Sequence, residues 1–196
     1  MSRTNFMSLA TKGVQALSPY QPGKPLDELQ REYGISQAVK LVSNENPLGP
    51  SPAALRVIRE QLDNLARYPD GNGFALKTVL ANKYGVTTEQ ITLGNGSNDI
   101  LELLARAFLT SENSVIFSQH AFAVYPIVTQ AVGANAVITE ARDWGYDLDA
   151  ILAAVDDKTR LIFIANPNNP TGTWLTRQQL DTFLSLVPSQ VIVVLD

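Results

Sequence analysis

Leu161 to Gly172 reads LIFIANPNNPTG, and the fold turns on this stretch. Its opening residues, Leu161 to Ala165, form an unbroken apolar run. That is the pattern of a strand covered by helices on both faces, as in a parallel sheet. The loop that follows carries Pro167 and Pro170. Each fixes its own φ and drives the residue before it away from helical geometry. Upstream, Leu148 to Val155 has helical spacing. Downstream, Thr176 and Gln179 have the spacing of a capping box for a helix reaching Leu186, and Val191 to Leu195 is another apolar strand.

Working outward, the same alternation continues. Ile91 to Leu93, Ser114 to Phe117 and Ala136 to Thr139 read as strands, and Asn98 to Leu109 and Phe122 to Val132 as helices. Strands alternating with helices predict a three-layer α/β/α domain with a mostly parallel sheet and right-handed crossovers. Nearer the N-terminus, Ser51 and Pro52 suit the start of a helix carrying Leu55, Ile58 and Leu62, and Phe74 to Tyr84 reads as a helix ending at Gly85. The first fifty residues differ, because SPYQPGKP (18–25) and SNENPLGPSP (43–52) are proline-rich and extended. The expected organisation is an arm with part of a small domain over 1–50 and a large domain over 51–196. The large domain is expected to be incomplete, because the sequence stops at Asp196 directly after a buried strand.

Composition narrows the function. Of 196 residues, 45% are hydrophobic and 17% charged, which is globular. There is no cysteine and one histidine, His120. Thiolate nucleophiles, disulfides and multi-histidine metal cages are thereby excluded, and a reducing compartment is expected. A net charge of -4 without a basic run argues against nucleic-acid binding. No apolar run is long enough to span a bilayer, and MSRTNFMSLATKG at the start lacks the apolar core of a secretory signal. A soluble cytoplasmic protein is the expectation. Ser118-Gln119-His120 gives no triad geometry, so His120 reads as a loop or helix-cap residue. Asp143, Asp147, Asp149, Asp156 and Asp157 read as a solvated surface.

Parallel α/β sheets bind ligands beyond the carboxyl ends of their strands, and three passages fall there. LGNGSND (93–99) places glycines and Ser97 before a helix start, where open N–H groups suit a phosphate, although an ordinary capped turn would read the same way. It is not a dinucleotide fingerprint, since Asp99 stands where a third glycine belongs. In NPNNPTG the prolines hold Asn169 as an amide donor, against the plainer reading of an Asn/Pro turn. Asp196 follows an apolar strand and is either paired there or opens a solvated loop. Phosphate cradle, amide and carboxylate together suit pyridoxal 5′-phosphate, whose ring nitrogen needs an anion to stay protonated. Phe122 could stack on that ring, or could be core.

NPNNPTG followed by a strand ending in Asp resembles the fold-type I aminotransferases, the aspartate aminotransferase superfamily. SPYQPGKP, SNENPLGPSP, RYPD (67–70), LGNGSND and HAFAVYP (120–126), in this order, resemble more narrowly its histidinol-phosphate aminotransferase branch. The resemblance implies that Gly96, Ser97 and Asn98 bind the cofactor phosphate and that Phe122 stacks on the pyridine. It further implies that Asn169 donates to the 3-oxygen and that Asp196 pairs with the ring nitrogen. Tyr68 would reach the partner subunit's cofactor in a homodimer with shared sites, while Tyr20, Asn44 and Asn46 would line the substrate pocket. The implied reaction moves an amino group between histidinol phosphate and 2-oxoglutarate, giving imidazole acetol phosphate and glutamate. An aromatic amino-acid aminotransferase, a threonine-phosphate decarboxylase relative and, from another class, a nucleotide-binding Rossmann-type module are the alternatives. The family's Schiff-base lysine and substrate-carboxylate arginine would lie beyond Asp196. No catalytic residue or metal ligand is therefore nominated, and this stretch alone is expected neither to catalyse transamination nor to be well soluble.

Overall fold

The architecture follows from which side of each strand is apolar. A computed structural model describes residues 5–196 except Pro22 and Val42. Pro22, one of the three prolines of SPYQPGKP, and the first four residues thus lie outside the described residues. Four strands form a parallel sheet: β1 (Ser114–Ser118), β2 (Asn135–Thr139), β5 (Thr159–Ile164) and β6 (Ile192–Leu195), in the order β2-β1-β5-β6. Side chains of a strand alternate between faces. Accordingly Val115, Phe117, Leu161 and Phe163 enter one core, and Ile116, Ile162 and Ile164 the other. The first core is closed by α5 (Ser97–Phe108) and α6 (Val124–Val132), through residues such as Leu101, Ala105 and Tyr125. The second is closed by α7 (Leu148–Ala153) and α8 (Arg177–Leu186), through Ile151 and Phe183. The unbroken apolar strands are therefore the middle layer of three, as their sequence required.

The chain runs from β1 over the α6 face to β2, then back past β1 by way of α7 to β5, and on over α8 to β6. The winding direction thus reverses between β1 and β5. In an open parallel sheet such a reversal leaves a crevice at the carboxyl ends of the two strands.

Local signals set most helix ends. Ser51 accepts the Ala54 N–H at 3.2 Å and Pro52 opens α3 (Pro52–Gln61). Gly85, at φ +67°, terminates α4 (Phe74–Tyr84). Thr176 and Gln179 form the capping box of α8. Three expectations need correction or addition. Ile91–Leu93 is extended but joins no ladder among the described residues, so it is not a strand; its apolar residues lacked a partner, not β propensity. The proline-rich start contains two short helices, α1 (Lys12–Gln15) and α2 (Leu26–Tyr33). Between β2 and α7 lies an antiparallel hairpin, β3 (Ala141–Arg142) with β4 (Gly145–Tyr146). Its turn residues Asp143 and Trp144 have φ of +51° and +64°, as a tight primed turn requires, without the usual Asn-Gly signal.

The described residues divide into two compact units. One comprises Gly94–Asp196 together with the arm up to Tyr20, including α1, which packs on α6; the other is Gln21–Leu93, containing α2, α3 and α4. Among the described residues no helix is long and apolar enough to cross a membrane, and no three His, Asp or Glu side chains are grouped to hold a metal.

Candidate active site

The crevice between β1 and β5 is built from chain immediately after each strand. After β5, the loop Asn166–Thr173 is folded on itself by its own amides. Asn166 brackets Leu175, accepting its N–H at 2.8 Å and donating to its carbonyl at 3.1 Å. Asn168 is buried and donates to the His120 carbonyl at 3.0 Å and to Thr171 Oγ1 at 2.7 Å, which ties the end of β5 to the end of β1. Both Asn-Pro bonds, 166–167 and 169–170, are cis. Asn169 is exposed, and its amide makes no hydrogen bond among the described residues. The asparagine expected to face a ligand is thus free, while Asn166 and Asn168 shape the loop around it.

The loop has a second anchor that the sequence did not announce. The Tyr146 hydroxyl, from β4, accepts the Ala165 N–H at 2.9 Å and donates to Asn168 Oδ1 at 3.0 Å. Burial pushes the Tyr146 phenol pKa up to about 12, so it remains a donor. His120 is a turn residue whose ring stacks on Trp144, 4.9 Å between centroids, consistent with a structural histidine.

Asp196 extends the β5–β6 ladder by one residue. Its N–H donates to the Ile164 carbonyl at 2.8 Å, and its carbonyl accepts the Asn166 N–H at 2.9 Å. The carboxylate is exposed, and Oδ2 accepts the Tyr125 hydroxyl at 2.9 Å. The apolar strand before it is therefore no obstacle to the charge: the residue reaches the sheet's rim and is hydrogen-bonded there. Tyr125 itself is fully buried, stacked on Phe163 at 4.8 Å. Burial first, and the Asp196 charge second, hold its phenol proton well above a tyrosine's usual range.

Phe122 is half-buried, two residues before α6, and meets the Tyr125 ring edge-on at 5.8 Å and 88°. It packs against the first core yet keeps part of its ring exposed, so core and ligand-facing roles are not exclusive. The turn before α5 is glycine-dependent: Gly96 has φ +87°, and a Cβ there would point into open space. No side chain caps α5. Its first-turn N–H groups, at Ser97 and Asn98, are consequently open to an anion. Asp99 folds the turn by accepting the Asn95 N–H at 2.8 Å.

The structure thus brings Phe122 and Asp196 together through Tyr125, and joins the Asn169 loop to both strand ends. Of the remaining candidates, Tyr20 is exposed at the end of the arm. Tyr68, Asn44 and Asn46 belong to the other unit: Tyr68 is fully exposed, Asn44 has φ +49°, and Asn46 Oδ1 accepts the Leu48 N–H. A groove of about 540 Å³, with Tyr146 and Phe183 in its wall, lies beside the hairpin, α7 and α8. It opens on the second core's side and not at the strand ends.

The aminotransferase class I and II family matches residues 36–196. Over 194 residues the chain is 64% identical to histidinol-phosphate aminotransferase 2 of Pseudomonas fluorescens Pf-5, covering 98% of this chain and 52% of that protein. The Pseudomonas aeruginosa protein of the same name is 61% identical, with 98% and 53% covered. The chain spans about half the length of the curated relatives it matches. Among solved structures, histidinol-phosphate aminotransferase from Sinorhizobium meliloti in complex with pyridoxal-5′-phosphate superposes with a TM-score of 0.85 at 28% identity, covering 95% of this chain and 50% of that one. Three-layer topology, strand-end geometry and family match agree, and the chain belongs to the aminotransferase class I and II family, with the fold-type I architecture.

Proposed function

We propose that the protein carrying this chain is a pyridoxal-phosphate aminotransferase that exchanges an amino group between histidinol phosphate and 2-oxoglutarate. What supports the reading is the chain of contacts Asp196–Tyr125–Phe122 beside the loop that carries Asn169, itself bonded to Asp196 through Asn166 and to the end of β1 through Asn168, in a chain 64% identical to a protein of that name. The donor set fits a phosphorylated pyridine: uncapped helix N–H groups for a dianion, an aromatic face, an amide donor and a carboxylate.

When bound, the cofactor would supply an electron sink for bonds broken at the substrate's α-carbon. The first turn of α5, at Gly96, Ser97 and Asn98, would hold the phosphate. Phe122 would keep the ring flat, Asn169 would donate to its 3-oxygen, and Asp196 would hold the proton on its nitrogen. Tyr20, Asn44 and Asn46 would line the substrate pocket. No lysine of this chain is assigned the catalytic proton transfer.

A homodimer in which Tyr68 serves the partner's site is part of the proposal. Its support is the exposure of Val57, Ile58, Leu62 and Leu65 in the same unit, an apolar surface a partner would cover. The chain's lack of cysteine suits a cytoplasmic, reducing setting. The deciding experiment offers the full-length protein histidinol phosphate and phenylalanine in competition, with 2-oxoglutarate as acceptor. Histidinol phosphate is expected to be consumed at least tenfold faster; a preference for phenylalanine would overturn the substrate assignment.

A further inference from the structure

Asp196 is fixed along its backbone by two ladder hydrogen bonds, but an exposed carboxylate on such a backbone can still rotate. The Tyr125 hydroxyl removes that freedom. Its ring cannot shift, being stacked on Phe163 at 4.8 Å, tilted against Phe117 at 6.4 Å and met edge-on by Phe122. At 2.9 Å it occupies Oδ2 alone, and Oδ1 makes no hydrogen bond among the described residues.

We infer that Tyr125 is a positioning residue, holding the Asp196 carboxylate with one oxygen taken and the other presented to the ring nitrogen of the cofactor. The same ring braces Phe122, so one buried side chain sets both the anion and the stacking residue. The inference rests on the cofactor reading above. Supporting it, the phenol keeps its proton throughout the neutral range, because burial and the neighbouring carboxylate both oppose its loss. The bond is therefore always tyrosine to aspartate in direction, and charge-assisted.

The test separates an effect on the ring nitrogen from a general loosening of the pocket. Apo full-length protein is titrated with pyridoxamine 5′-phosphate, which binds without a covalent bond, and with its 1-deaza analogue, in which C–H replaces the ring nitrogen. Tyr125→Phe keeps the aromatic stack and is expected to weaken the first ligand by about tenfold, the usual scale of a hydrogen bond to a charged group. The deaza analogue should change by less than twofold. The preference between the two should approach that of Asp196→Asn. Equal losses for both ligands, or no loss for either, would overturn the inference. A wild type that binds neither, or does not distinguish them, would overturn the cofactor reading itself.

Discussion

Deleting one hydroxyl at two different tyrosines should have very unequal consequences for stability. In Tyr146→Phe, the buried Ala165 N–H and Oδ1 of buried Asn168 both lose their partner, since the Tyr146 oxygen accepts from one and donates to the other. A buried polar group left unpaired costs about 1–3 kcal/mol, so the pair should cost about 2–6 kcal/mol. In Tyr125→Phe the orphaned group is the exposed Asp196 carboxylate, which water can satisfy, and the loss should stay within about 1 kcal/mol. Thermal and urea unfolding of the full-length protein, followed by circular dichroism, measures both. If Tyr146→Phe is within about 0.5 kcal/mol of wild type, or if the two variants lose equal stability, unsatisfied burial is the wrong account of the loop.

Three further outcomes follow from individual contacts. The folded Tyr146 phenol pKa, about 12, lies above its unfolded value near 10. Its contribution to stability is therefore complete below pH 10 and is lost as pH rises toward 12. Urea midpoints measured from pH 8 to 12 should show that decline, shallower in Tyr146→Phe; a flat profile in wild type would contradict it. Gly13→Ala would place a Cβ 2.0 Å from the Gln130 carbonyl oxygen. It should push α1 off α6 and cost about 1–3 kcal/mol, read as faster hydrogen exchange at the α6 C-terminus; unchanged exchange would mean that α1 does not pack there. Asn169→Ala, at an exposed amide without partners, should leave Tm unchanged while weakening pyridoxamine 5′-phosphate by roughly 2–10-fold. Unaltered affinity would remove Asn169 from the site.

The sequence by itself determined what short-range chemistry can determine. Unbroken apolar runs at 115–117 and 161–165 could be satisfied only between two helical layers, and Ser51, Gly85 and Thr176 ended helices through contacts within a few residues. The strand-end positions of Asn169 and Asp196 were legible for the same reason. Tertiary structure decided the rest. Ile91–Leu93 has strand composition but no ladder, because pairing depends on a neighbour and not on the segment. The β3–β4 hairpin turns through Asp143 and Trp144, residues that carry no hairpin signal. Tyr125 and Asp196 are 71 positions apart, and Tyr146 and Asn168 are 22 apart. The first pair meets because the sheet order sets β5 between β1 and β6, bringing strand ends and the helix starts beyond them to one rim, and the second because the β3–β4 hairpin, outside that sheet, packs against the loop after β5.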